Sequence, residues 1–430
     1  MTAKPESISM VSDRAAPGSR ARARHWPILW LLTGLMLVTG FHAKPSLATS
    51  FNIDSTRIGV VTIEPGQTYW ERFGHNAILI DLGDGSEPLL YNFGMFDFDQ
   101  PGFMGKFIAG QMRYRLTVEP YRRSLADYQA LGRGATLQWL ALDPDQRREL
   151  IAILQWNALP ENVYYRYDYF LDNCSTRVRD ALDHALGGRL QRQLIGRSRG
   201  LSYRFEAMRL GAEPLWMGLG MSLGLGPFAE RPLSRWDEAF VPMRLREALR
   251  EVTTADGSPL VLSEQSLLPH RLHETAVAAP RWWPRFLILG VALAVLIGRL
   301  HARPRALAWA LGSFWLLTGL IGLGLAGLWL ASDHRAAWGN ENLLLFDPLA
   351  LALLPIASNL ARRRAIGPWQ QRLLLVILLL AGAAAFLKFL PFRFQDNIDW
   401  IVLMLPIHFA AWSATRKASK AHAVVVPAAV

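Results

Sequence analysis

The sequence predicts an α+β exported domain joined to a C-terminal bundle of five transmembrane helices. The exported part is expected to hold an antiparallel sheet with a nucleophile at a helix N-terminus. Three observations carry this. After Trp282-Trp283 the composition turns apolar in five segments, near 282–298, 306–330, 343–361, 373–390 and 400–414. Between about 51 and 280, short β-type runs alternate with turn chemistry and helical stretches. The only cysteine in 430 residues, Cys174, follows Asp172-Asn173 just where a helix should begin.

Charged residues make up only 19% of the chain, which is low for a soluble protein and ordinary for one partly in a membrane. The net charge of +11 sits largely in short clusters beside apolar segments. No basic stripe interleaves with stacking aromatics, so nucleic acid is not an expected partner. One cysteine excludes an intrachain disulfide. In an oxidising compartment such a thiol is either buried or kept for its reactivity.

Residues 1–48 read as a cytoplasmic n-region and a signal or anchor helix. Arg20, Arg22, Arg24 and His25 precede an apolar run from Pro27 to Phe41, and Ser46-Leu47-Ala48 has small residues where a signal peptidase cuts. A cleaved signal and a retained anchor both fit. Either way the domain at 49–280 is exported, because the arginines stay inside. In the transmembrane domain at 281–415, Arg299, Arg303 and Arg305 mark one cytoplasmic turn, and Arg362, Arg363, Arg364 and Arg372 the second. Arg416, Lys417 and Lys420 mark a cytoplasmic tail at 416–430, while Asp333, Glu341, Asp347, Asp396 and Asp399 face outside. Five spans then place the C-terminus inside, in agreement with the N-terminal signal.

Within the exported domain, 57–63 and 76–80 read as strands, 81–86 as a turn and 89–93 as a returning strand. A hairpin centred near Asp84-Gly85 puts Asn92 beside His75 or Ala77 on one face. A loop over 95–112, a helix near 124–131 and a strand over 135–142 follow. Asp143-Pro144 then opens a helix through Ala158, with cap and first-turn proline in place. Residues 190–280 read as helix and loop without a clear order. In that region, 217–226 is an apolar, glycine-rich stretch for core packing or a dip toward the membrane. Asp347-Pro348 starts a helix with Asp347 as cap, or else places a carboxylate within the membrane. His334 and Arg335, on an outer loop, could meet a lipid head group.

The chemistry centres on Cys174 and His75. A thiol on the first turn faces unpaired N–H groups and the positive end of the helix dipole, which favour thiolate. His75 follows Gly74 and opens a strand, and a Cys–His pair distant in sequence is the arrangement of thiol nucleophiles. Cys174 would attack an acyl carbonyl with His75 as base and Asn92, or alternatively Asp97, orienting the ring. The Cys174 backbone N–H, with Asn173 or a nearby tyrosine, would bind the oxyanion. Arg177, one turn on, could hold a substrate phosphate or carboxylate, or pair with Asp180. Tyr167 and Tyr169 line the site or pack beside it. Scattered histidines and one cysteine suggest no metal site, and no phosphate loop or serine elbow is present, so no cofactor is expected.

Three motifs, Arg72-Phe73-Gly74-His75-Asn76-Ala77, Tyr91-Asn92-Phe93-Gly94-Met95-Phe96 and Asp172-Asn173-Cys174-Ser175-Thr176-Arg177, together resemble the Lnb N-terminal periplasmic domain family. The likeness covers roughly 55–245, and more loosely the tail with its Asn-x-Asn…Asp-Pro element. The order of His before Asn-Cys is also similar to the permuted papain-like fold of lecithin:retinol acyltransferase relatives. The resemblance implies a permuted papain-like cysteine domain in the periplasm and a multi-pass protein of the inner membrane. It also implies a thiol-dependent acyl shift, in which a fatty acyl chain on a lipoprotein's diacylglyceryl cysteine moves to that cysteine's α-amino group. Cys174 would be the nucleophile and His75 the base. The expectation is a membrane-embedded acyltransferase whose partner is a membrane lipid or lipoprotein acyl ester. A periplasmic cysteine hydrolase (cell-wall amidase, peptidase or deacylase) and a non-catalytic binding domain are the rivals.

Overall fold

Strands that are apolar on both faces call for a sheet covered on both sides. β1 (Arg57–Ile63) buries every residue after Arg57, β2 (His75–Asp81) buries 76–80, and β3 (Leu89–Met95) buries 90–93. The computed structural model describes residues 52–96, 100–391 and 395–425. The n-region and apolar run within 1–48, and Asp97, lie outside these.

β1, β2 and β3 pair antiparallel, with Ile63 opposite His75 and Ala77 opposite Asn92, as the hairpin reading requires. The stretch expected as loop holds α1 (Phe103–Ala109), bounded by left-handed Gly102 and Gly110. β4 (Arg113–Pro120), α2 (Tyr121–Ala130) and β5 (Ala135–Leu140) follow. α3 (Pro144–Ala158) starts at Asp143, which forms a capping box with Gln146. β6 (Tyr164–Arg166) leads to α4 (Cys174–Ala185) and α5 (Arg189–Leu194).

The region without clear order resolves into β7 (Ser198–Ser202), α6 (Tyr203–Gly211), α7 (Leu215–Gly224), β8 (Pro232–Ser234), α8 (Arg235–Glu238), α9 (Pro242–Arg250) and β9 (Val261–Leu268). β9 closes one edge of a seven-stranded sheet ordered β6-β4-β3-β2-β1-β5-β9. Every pairing in that sheet is antiparallel. One face, with Val60, Ile78 and Phe93, packs on Leu154, Val178, Leu182 and Leu245 of α3, α4 and α9. The other, with Val61, Leu79 and Leu137, packs on Leu125 and Tyr128 of α2.

Five helical segments after 282 are long and apolar enough to cross a membrane. They are built on α10 (Trp283–Arg299), α11 (Pro304–Leu330), α12 (Leu354–Ala361), α13 (Pro368–Phe386) and α14 (Ile398–Val425). The third enters through two 3-10 turns, and the Asp347 carboxylate caps the second by accepting from Leu349 N at 2.8 Å. α14 continues past 416 to Val425, into the stretch expected as a cytoplasmic tail. Arg and Lys are good helix formers, and their charge suits a helix C-terminus.

The membrane bundle also caps α7. The final carbonyls of a helix lack partners within it. Asn340 Nδ2 donates to Leu223 O and Gly224 O (2.8 and 3.0 Å), Asn342 Nδ2 to Leu223 O (2.9 Å), and Gln395 Nε2 to Leu225 O (3.0 Å). Trp400 Nε1 donates to Ser222 Oγ at 3.1 Å. The Asn-x-Asn element of the tail is therefore a clamp on an exported helix.

Candidate active site

α4 starts where it does because Asn173 caps it. Asn173 Oδ1 accepts from Ser175 N and Thr176 N, both at 2.9 Å, and Thr176 Oγ1 accepts from Asn173 N at 2.7 Å. Cys174 is thereby the first helical residue. The Asn173 amide is spent elsewhere, donating to Tyr169 O at 3.0 Å and Phe240 O at 2.9 Å. Asn173 is thus a positioning residue and has no donor left for an oxyanion, a correction to the role expected for it.

α4 is stapled to β2 beside both Cys174 and His75. Ser175 Oγ donates to Asn76 Oδ1 at 2.8 Å, and Asn76 Nδ2 donates to Thr62 Oγ1 at 2.8 Å. The residue after the histidine thus holds the residue after the cysteine. Backbone N–H groups of Asn76, Ser175 and Cys174 itself face the sulfur and favour its thiolate form. Gly94, at φ 83°, leaves the necessary room: a Cβ there would lie 3.2 Å from Cys174 Cβ and 3.3 Å from the Tyr167 ring.

His75 Nε2–H donates to Asn92 Oδ1 at 3.1 Å. That bond leaves the Nδ1 lone pair as the basic site. Burial lowers the His75 pKa to about 4, against the Asn92 hydrogen bond and assisted by the Arg133 charge. Burial likewise pushes the Cys174 thiol up to about 11, although the N–H groups and Arg133 act the other way. Desolvation outweighs the helix start, and the pair rests as thiol and neutral imidazole.

Cys174 and His75 line one cavity of about 590 Å³, and Tyr167, Tyr169 and Asn173 share its wall. Arg177 does not line it. Its guanidinium grips the Asp172 carboxylate and lies 4.1 Å from the centre of the Tyr165 ring. Asp180 pairs with Arg179 instead, and Asp172 holds Arg177 at the helix start. The cation at the cavity is Arg133, which the sequence reading missed. It is buried, donates from Nε to Glu64 O at 2.9 Å, and lies 3.5 Å from Glu71 Oε1. Glycines on either side of it were the available signal.

His334 reaches the same cavity from the loop after α11. Its Nε2–H donates to Phe107 O at 3.0 Å, so Nδ1 accepts from the Tyr169 hydroxyl at 2.6 Å. Both ring nitrogens are engaged within the protein, where a lipid head group had been one reading. The Tyr165 hydroxyl and Asn92 Nδ2 are buried without a hydrogen-bond partner among the described residues. Among the described residues, no group of three or more His, Cys, Asp or Glu could hold a metal ion.

Residues 43–203 match the family model described as the Lnb N-terminal periplasmic domain, and residues 274–420 match the one described as the Lnb transmembrane domain. Nothing among curated proteins or solved structures matches the chain.

Proposed function

Because this chain belongs to the Lnb family through both its periplasmic and its transmembrane domain, we propose that it is a membrane-embedded thiol acyltransferase. It is a multi-pass protein of the inner membrane with a periplasmic domain. In the reaction, His75 Nδ1 takes the thiol proton as Cys174 Sγ attacks the carbonyl carbon of a lipid or lipoprotein ester. The N–H groups that face the sulfur, with the unpartnered Tyr165 hydroxyl, receive the developing oxyanion. The ester C–O bond breaks, His75 returns its proton to the leaving alkoxide, and a Cys174 acyl thioester remains. An acceptor amine then attacks, giving its proton to His75. The C–S bond breaks and the sulfur recovers that proton.

One observation carries the choice of a fatty acyl group over a peptide. The cavity at Cys174 is walled by apolar and aromatic side chains and is shared with Leu328, Ala336 and Ala337 at the outer end of α11 and the loop beyond it. A peptide would need backbone partners along that wall, whereas an acyl chain needs none.

The test is intact-protein mass spectrometry of Cys174 after exposure of the full chain to membrane lipids, alongside the acylation state of lipids and lipoproteins in cells carrying Cys174→Ala. A fatty acyl thioester with altered lipoprotein acylation supports the reading. A peptidyl adduct moves it to a cell-wall hydrolase. Unchanged lipid and lipoprotein pools, with no adduct, favour a binding domain.

A further inference from the structure

α7 has three faces with different neighbours. Leu219 and Leu223 pack into the cluster built around Leu345, Phe346 and Trp400 of the membrane bundle. Leu215 and Trp216 point outward, 61% and 63% exposed. Met217, Gly220, Met221 and Gly224 line the Cys174 cavity. Their spacing of three, one and three residues is one stripe of a helix.

That stripe is unusual in being open. A Cβ at Gly220 or Gly224 would meet nothing within 4 Å, while one at Gly218, on the packed side, would lie 2.5 Å from Ala212 O. The two glycines in contact with the cavity thus have no packing reason to lack a side chain. Each also weakens the helix by about 1 kcal/mol relative to alanine. Beside them on the stripe stand Met217 and Met221, whose unbranched thioethers adapt to irregular apolar partners.

The cavity mouth lies beside the outer end of α11, where Leu328 lines it. Its exposed members include Trp70, Phe107 and Gly220. Around them, Tyr69 meets Trp216 edge-on at 6.0 Å, and α1 turns Met104 and Ile108 outward. The loop that begins at Ser332 and Asp333, just beyond α11, holds the end of α1 through Asp333 N to Ala109 O at 2.8 Å. An exposed apolar collar beside the outer end of a span marks a lipid-facing surface.

We propose that the Met217–Gly224 stripe is the wall of an acyl-chain groove. A long fatty acyl chain of an outer-leaflet lipid enters between α1 and α7 and lies along the two glycines with its carbonyl end at Cys174. The absent side chains leave its width. This rests on the acyl-transfer reading and adds where the chain lies and what limits its length.

The single cysteine allows a test that needs no turnover. Alkyl methanethiosulfonates from ethyl to hexadecyl are applied to the full chain in phosphatidylethanolamine/phosphatidylglycerol vesicles. The Cys174 sulfur displaces methanesulfinate and forms a mixed disulfide, which is read by mass. Gly220→Leu and Gly224→Leu, both compatible with a helix, are expected to leave ethyl labelling unchanged and to slow hexadecyl labelling about tenfold, the factor of roughly two methylenes lost from apolar contact. Gly196→Leu, on an open surface turn, is expected to change neither rate. Rates that fall equally at every length in both variants, or fall at none, overturn the groove and leave the acyl-transfer reading standing. Absence of ethyl labelling in the unsubstituted protein overturns both.

Discussion

The Nε2–H of His75 points at Asn92 Oδ1 across 3.1 Å, and this bond decides which ring nitrogen is left to accept a proton. It exists because Ala77 and Asn92 are paired across β2 and β3. Replacing Asn92 by Ala frees the ring to rotate and change tautomer. Formation of the Cys174 acyl adduct is expected to slow by about 10²-fold, within the range of a lost general base, and by less than in His75→Ala. Stopped-time mass spectrometry of the adduct measures both.

Cys174 and His75 both rest neutral, and this shapes the pH dependence. For His75 the folded pKa, about 4, lies below the ordinary value of 6.5, so only the unfolded chain gains a proton between them. Stability is expected to fall with decreasing pH across that window at up to about 1.4 kcal/mol per unit. For Cys174 the folded value, about 11, lies above the ordinary 9.0, so stability falls again as pH rises between those two. Denaturation midpoints of the wild type should therefore peak between about pH 6.5 and 9, with the acid slope reduced in His75→Gln and the alkaline one in Cys174→Ser.

Arg133 lies within electrostatic reach of Cys174 and lowers its pKa. Arg133→Gln is expected to slow labelling of Cys174 by a small reagent such as iodoacetamide at pH 8, because the charge that favours the thiolate is gone. Arg133→Lys should retain part of the rate. Equal rates in all three proteins would remove Arg133 from the chemistry.

Gly94→Ala adds a Cβ at 3.2 Å from that of Cys174 and at a φ that L-residues avoid. Thermal unfolding should show a loss of about 1–2 kcal/mol, with labelling of Cys174 also changed. Arg177→Ala, which breaks the pair with Asp172, should lower stability without raising the apparent KM for a phospholipid donor.

Asn342→Ala removes a donor to the end of α7. Leu223 O keeps Asn340 as a donor, but buried Asn397 Nδ2 loses its acceptor Asn342 Oδ1 (2.9 Å), so a loss of about 1–3 kcal/mol is expected, with faster proteolysis near Met217–Gly226. A variant with unchanged proteolysis would show that the clamp does not hold α7.

Most strands and helices up to Ala158 were legible because their signals are local. Asp143-Pro144 caps its own helix, and the hairpin through Asp84-Gly85 fixes its own register. Residues 190–280 were not, because their polarity misleads. Glu206 and Glu238 are fully buried, paired with Arg209, Arg244, Arg199 and Arg235, so charge there does not mark the surface. β9 is an edge strand with an exposed Ser263-Glu264-Gln265-Ser266 run, and only its partner β5 makes it a strand. At the site, Cys174, His75 and Asn92 were singled out by residue type and spacing, while Arg133 and His334 reach the cavity from distant segments whose approach no local pattern announces.

The sequence by itself determined the five spans, their orientation signals and the placement of a cysteine at a helix start, because hydropathy, flanking charge and capping act within one segment. Only the tertiary structure decided that the thiol rests protonated, that Arg177 faces away, and that Asn340 and Asn342 close an exported helix. Those outcomes depend on what covers each group from elsewhere in the chain, and burial is a property of neighbours rather than of residues.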